Sequence, residues 1–173
     1  MATPKFEQWL MDSDFYPLAE KLGQLLRLQN AMCATAESCT GGWISQVLTE
    51  VPGSSTWFER GFVTYSNAAK CDMLGVKLET LANYGAVSEQ TALEMALGAL
   101  AHSTATCSVA VTGIAGPDGG SVEKPVGTVF IAWALQNQSV QIAHKIFAGS
   151  RQHIRAQTVQ AALEGLILAM SAR

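Results

Sequence analysis

A serine set just ahead of paired glycines, in Ala36-Glu37-Ser38-Cys39-Thr40-Gly41-Gly42, is the first stretch of this chain whose residue types could do chemistry. The short apolar run 32–36 before it suits a buried strand, and 43–51 after it reads as helix. Ser38 therefore falls at a strand-to-helix turn, where glycines admit close approach of a ligand and free N–H groups attract anions. Its hydroxyl is a candidate nucleophile, with N–H groups of the 38–42 turn placed to stabilise an oxyanion. A serine here is also read as a helix N-cap. Cys39 is either a rival nucleophile or a small buried residue, and Glu37 either tunes the site or supports it structurally.

A serine nucleophile needs a base, and the three histidines suit the task poorly. His102 ends a predicted helix, His144 lies in a predicted strand, and His153 sits near the start of the last helix. Tyr65-Ser66-Asn67-Ala68-Ala69-Lys70 begins at another strand end and offers an alternative. Tyr65 and Lys70 are separated by a turn and one helical step, so both can face one crevice. A buried lysine loses its proton more readily and can act as a general base, whereas a solvated helix lysine cannot. Lys124, in a glycine-rich loop, is a weaker candidate because a mobile loop positions a base poorly. Thr112-Gly113 ends a third strand, and Arg151, after Gly149-Ser150, is a candidate cation for a phosphate or a solvated first-turn arginine.

The elements that must position these residues follow from periodicity and punctuation. Leu18, Leu22, Leu25 and Leu26 give a helix over 16–29, with Pro17 in its first turn. Strands are predicted at 32–36, 62–65, 107–112, 128–135 and 140–147. Further helices are predicted at 43–51, at 67–74 with Gly75 as its stop, at 89–101 capped by Ser88, and at 151–170 capped by Ser150. The segment after residue 112, GIAGPDGGSVEKPVG, is long for a connection inside a compact domain, so it is either functional or disordered. The last two strands are close enough in sequence to form an antiparallel hairpin. The order α-β-α-β-α-α-β-β-β-α implies one three-layer α/β/α domain with a mixed sheet. In such sheets ligands bind beyond the carboxyl ends of the strands.

Composition removes several functions. With 49% hydrophobic and 14% charged residues among 173, neither disorder nor a coiled coil is expected. A net charge of −3 speaks against a nucleic-acid partner held by bulk charge. No apolar run reaches the roughly 18 residues of a membrane span, and the acids within MATPKFEQWLMDSDF do not suit a signal peptide. Four scattered cysteines (Cys33, Cys39, Cys71, Cys107) read as free thiols of a reducing cytoplasm, and no cluster has the spacing of a metal site. Neither glycine turn matches the phosphate loop or the dinucleotide fingerprint, which disfavours ATP hydrolysis and NAD binding.

Several stretches together resemble one known family. AESCTGG at 36–42, PGSSTWFERGFVTYSNAAK at 52–70, GAVSEQTALEMALGAL at 85–100, VTGIAGPDGG at 111–120 and KPVGTV at 124–129 are similar to the C-terminal domain family of the competence/damage-inducible protein CinA. Its stand-alone nicotinamide-nucleotide amidohydrolase members are the nearest in kind. The resemblance implies a single amidohydrolase domain over 1–173, without the larger molybdopterin-binding-like domain found upstream in full-length members. It implies hydrolysis of the carboxamide of nicotinamide mononucleotide to nicotinate mononucleotide and ammonia, in pyridine nucleotide recycling. By the same likeness Ser38 is the nucleophile, Lys70 and Tyr65 assist proton transfer, and Thr40, Gly41, Gly42, Thr112 and Gly113 line the nucleotide pocket. It further implies a cytoplasmic homodimer that uses no metal or other cofactor. The alternative is a non-catalytic nucleotide-binding or regulatory module, because a fold does not guarantee turnover.

Overall fold

The computed structural model describes residues 14–172, so the reading of the first thirteen residues lies outside the described residues. In chain order the elements are α1 (Tyr16–Leu28), β1 (Cys33–Glu37), α2 (Trp43–Thr49), a 3-10 turn (Ser54–Thr56), β2 (Phe58–Val63), α3 (Asn67–Leu74), α4 (Leu78–Tyr84), α5 (Glu89–Ala101), β3 (Cys107–Gly113), β4 (Thr128–Leu135), β5 (Gln141–Ile146) and α6 (Arg151–Ser171). The sheet runs β2-β1-β3-β4-β5. β1 pairs in parallel with β2 and β3, while β3–β4 and β4–β5 are antiparallel. The sheet is therefore mixed, with helices on both faces, as the order of elements predicts.

Strand alternation sorts the two faces by size. Val109, Val111, Ile131, Trp133 and Leu135 share a core with Leu22 and Leu26 of α1, Ile44 and Leu48 of α2, and Leu163 and Leu166 of α6. Each large side chain fully buried there is worth about 1.5–3 kcal/mol. Ala34, Ala36, Ala110, Ala132 and Ala134 form the opposite face, against Ala92, Met95, Ala96 and Ala99 of α5 and Leu74 of α3. These small side chains let α5 lie close on the sheet, near enough for Ser108 Oγ to donate to Ala96 O at 2.8 Å. No helix among the described residues is long and apolar enough to cross a membrane.

Two expectations need correction. The second strand runs Phe58–Val63 rather than 62–65. It is an edge strand, so Glu59 and Arg60 are tolerated on it, and polar residues there hide the alternation that marks a half-buried strand. The helix α4 is missing from the predicted order. It has seven residues, Leu78 is 77% exposed, and its N-cap Lys77 makes no side-chain cap. Its first turn is instead held from α5, where Glu94 accepts from Lys77 N–H at 2.8 Å and from Thr80 Oγ1 at 2.7 Å. That cap comes from 17 residues away, and local sequence cannot announce it.

The joint between α3 and α5 rests on Gly98, where a Cβ would overlap the carbonyl of Leu74. An alanine in a helix interior ordinarily stabilises relative to glycine by about 1 kcal/mol. At this contact the sign reverses, and Gly98→Ala is expected to cost about 1–3 kcal/mol through overpacking. Chemical denaturation checks this, and an unchanged or raised stability would contradict the close packing.

Candidate active site

β1 is where the connections diverge, because β2 lies on one side of it and β3 on the other. Open α/β sheets bind ligands at such points, beyond the carboxyl ends of the strands. Ser38 follows β1 directly, and its N–H extends the ladder by donating to Val111 O at 3.1 Å. β2 ends beside it, with Thr64 N–H donating to Glu37 O at 2.8 Å. The chain then turns into α3, whose N-cap Ser66 accepts from Ala69 N–H at 3.0 Å. One turn into that helix, Lys70 reaches back over the strand ends. Its Nζ lies 3.0 Å from Ser38 Oγ and donates to Thr64 O at 2.8 Å.

This amine is 1% exposed, and burial lowers its pKa from the usual 10.5, against smaller raising effects of Cys39 and Cys71. No carboxylate lies within ion-pair distance of it among the described residues. Cys39, the rival nucleophile, is buried, and desolvation pushes its thiol up to about 11. It is therefore protonated at neutral pH and weakly nucleophilic.

Glu37 has the largest structural share in the turn. It is fully buried, and its Oε2 accepts from Thr40 Oγ1 at 2.6 Å and from the Gly42 and Ile44 N–H groups at 3.0 Å each. Its Oε1 accepts from Ser45 N–H and Ser45 Oγ, both at 2.8 Å. The carboxylate thus satisfies the start of α2 from the preceding strand. Ser38 is not the N-cap, a position taken by Gly42 at φ +97°, where glycine bears the left-handed conformation without strain. The N–H groups expected to be free for anions are mostly engaged. Glu37 holds those of Gly42, Ile44 and Ser45, Val111 O holds that of Ser38, and Ser38 O holds that of Gly41 at 3.0 Å.

Ser38 and Lys70 open into a hollow of about 230 Å³ also lined by Tyr65, Thr112, Gly113 and Arg151. Tyr65 is 62% exposed, and its hydroxyl accepts from Arg151 Nη2 at 3.0 Å instead of bonding Ser38 or Lys70. The other arm of Arg151 donates to Gly116 O at 2.8 Å, fastening the long loop to the mouth of the hollow. One wall is the segment Ala86–Val87, held by Thr112 Oγ1 on Ala86 O at 2.7 Å and Lys124 Nζ on Val87 O at 2.7 Å. Lys124 also donates to Tyr84 O at 2.9 Å, so it ties the loop down and does not reach Ser38. Thr40, Gly41 and Gly42 line a neighbouring hollow of about 300 Å³ with Trp43, Gln46, Gln152 and Arg155.

The histidines lie elsewhere. His144 stacks on Phe130, His102 Nδ1 meets Gly98 O, and His153 Nδ1 meets Ser150 Oγ. Sequence reasoning missed Thr64, Ala86, Val87 and Arg155. Arg155 was legible only as a partner of Arg151 one helical turn on, and the backbone groups at 64, 86 and 87 leave no mark in side-chain type. Among the described residues no group of three or more His, Cys, Asp or Glu is placed to hold a metal ion.

The five donors on Glu37 are matched to a charged acceptor, and hydrogen bonds to such groups are worth about 1.5–3 kcal/mol each. Glu37→Gln replaces one acceptor oxygen with a donor facing other donors. It is expected to lower stability by at least about 2 kcal/mol and to loosen the turn that carries Ser38. A melting temperature equal to the wild type would contradict this.

Comparison with known proteins gives the family of the chain. Residues 15–170 match the family described as the CinA C-terminal domain. The chain is 52% identical over 157 residues to "Nicotinamide-nucleotide amidohydrolase PncC" of Escherichia coli (strain K12), covering 91% of this chain and 95% of that protein. It is 53% identical over 150 residues to the protein of the same name from Pseudomonas putida, covering 87% and 93%. The crystal structure of the competence/damage inducible protein CihA from Agrobacterium tumefaciens superposes with a TM-score of 0.88 at 52% identity, covering 91% of this chain and 96% of that one. By sequence and by fold, this chain belongs to the CinA C-terminal domain family.

Proposed function

We propose that this protein hydrolyses the carboxamide of nicotinamide mononucleotide, giving nicotinate mononucleotide and ammonia, with Ser38 as nucleophile and Lys70 as its base. The chain is an amidohydrolase. The observation that carries the mechanism is the 3.0 Å approach of Lys70 Nζ to Ser38 Oγ in a buried setting, with no carboxylate paired to the amine among the described residues. A neutral amine there donates one N–H to Thr64 O and presents its lone pair to the serine O–H. Lys70 takes the hydroxyl proton as Oγ attacks the carboxamide carbon. The tetrahedral intermediate collapses as the Lys70 ammonium returns that proton to the departing nitrogen, which leaves as ammonia. Water then attacks the acyl-enzyme and Lys70 accepts one of its protons; the Lys70 ammonium returns that proton to Ser38 Oγ as the acid product leaves and ionises to the carboxylate in solvent.

Thr112 and Gly113 form a wall for the nicotinamide ring, and Arg151 at the mouth is the cation for the phosphate. The bond from Arg151 to the Tyr65 hydroxyl supports a role for Tyr65 in holding that cation. Such a reaction returns the pyridine nucleotide as its acid form, in keeping with a recycling role.

Ammonia release from the purified protein and nicotinamide mononucleotide tests the activity. Ser38→Ala is expected to lower kcat by at least about 10³-fold with the fold intact, and near-normal turnover would exclude it as nucleophile. Lys70→Arg should be nearly as damaging as Lys70→Ala, by about 10²–10⁴-fold, because guanidinium keeps its proton. Substantial activity in Lys70→Arg would defeat the general-base role.

The lowered Lys70 pKa also fixes two pH dependences. The base works as the neutral amine, so kcat/KM rises with pH up to the folded-state value, which lies below 10.5. Between that value and 10.5 the unfolded lysine holds its proton while the folded one has released it, so stability also rises with pH across this window. Lys70→Met, which removes the buried amine, is expected to be inactive yet no less stable than the wild type at pH 7. A large loss of stability in that variant would mean that the amine contributes net stabilisation.

A further inference from the structure

Arg155, one turn beyond Arg151 on α6, spends its guanidinium on the backbone of the serine turn. Its Nε donates to Cys39 O at 3.0 Å and its Nη2 to Thr40 O at 2.7 Å. Its Cζ lies over the Trp43 ring, 5.3 Å from the centroid, within cation–π range. It pairs with no carboxylate among the described residues. A planar trans peptide points its C=O and its N–H in opposite directions. The peptide joining Cys39 to Thr40 also divides the two hollows, since Cys39 lines the one with Ser38 and Thr40 lines the one with Arg155. With its carbonyl drawn toward Arg155, this peptide holds the Thr40 N–H pointing away from the arginine. That N–H, like that of Cys39, has no acceptor among the described residues, whereas those of Ser38, Gly41, Gly42, Ile44 and Ser45 are engaged.

We propose, resting on the reading of Ser38 as nucleophile, that Thr40 N–H is the donor for the oxyanion and that Arg155 is the positioning residue that holds its peptide. The donor belongs to the turn and not to the end of α2, whose own N–H groups Glu37 occupies. Arg155 acts in two ways. It keeps the carbonyls of Cys39 and Thr40 from swinging round, and its charge polarises the peptide so that the opposite N–H donates more strongly. An N–H aimed in advance at the developing oxyanion needs no reorganisation as the carboxamide carbon becomes tetrahedral.

The test compares wild type, Arg155→Ala, Arg155→Lys and Arg155→Met by two readouts. One is the rate at which a fluorophosphonate modifies Ser38, followed by intact mass, which needs the nucleophile and the oxyanion donor but no nucleotide. The other is kcat and KM for ammonia release from nicotinamide mononucleotide and from its phosphate-free riboside. Arg155→Ala is expected to slow both phosphonylation and kcat by about tenfold to hundredfold, less than deletion of a donor itself. The loss should be the same for the two substrates with KM little changed, and Arg155→Lys should recover part of it by reaching one carbonyl. Arg155→Met keeps the aliphatic stem and carries the same readouts if the alanine variant does not fold.

Unchanged phosphonylation in a folded variant would overturn the proposal. So would a rise in KM confined to the nucleotide, which would make Arg155 a phosphate ligand. If wild-type Ser38 is phosphonylated but the nucleotide is not hydrolysed, the substrate reading fails while the labelling rates still decide the role of Arg155. An unreactive Ser38 would overturn both.

Discussion

An amine buried with no carboxylate beside it among the described residues is the constraint around which this fold is organised. Lys70 sits inside the fold 3.0 Å from Ser38 Oγ and donates to the carbonyl of Thr64. Burying an ammonium there would be costly, and the group answers by releasing its proton more readily. The surrounding elements make that position reachable. β2 must end at Val63 to free the Thr64 carbonyl, Ser66 must cap α3, and Gly98 must let the end of α3 press on α5. The alanine face of the sheet allows α5 to come close enough to support this arrangement.

Glu37 is a second buried ionisable residue, one position before the serine. Strand alternation places it on the α2 face, while Lys70 approaches from α3 on the opposite face, so the two flank Ser38 without forming an ion pair. Had they met, the lysine would be held as an ammonium and could not accept a proton. Each group is instead satisfied by backbone and hydroxyl partners. Glu37 gathers five donors and shapes the turn; Lys70 takes one carbonyl and the serine. Glu37 thereby builds structure and Lys70 is left for chemistry.

Much of this was legible in the chain because side-chain type and spacing carried it. The strand before Ser38, the cap at Ser66 through its helix 67–74, the cap at Ser88, and the pairing of β4 with β5 all follow from local pattern. The meeting of Ser38 with Lys70 was legible as two strand ends that share one sheet edge. What stayed hidden rests on contacts remote in sequence or on backbone atoms. The cap of α4 comes from Glu94, the Lys70 anchor is a carbonyl, and the turn's N–H groups are consumed by Glu37 from the strand behind them. Tyr65 shows the same limit, because residue type placed it near the site while its hydroxyl is claimed by an arginine 86 residues on.

The central requirement is that the buried Lys70 amine gives up its proton more readily than an ordinary lysine, so that it can accept the Ser38 proton. Its charge is directly measurable by NMR, following the Cε signals of isotopically labelled lysines in the folded protein as pH is varied, with Lys70→Met used for assignment. The Lys70 signal is expected to titrate below 10.5. A Lys70 that holds its proton to 10.5 or above would contradict it.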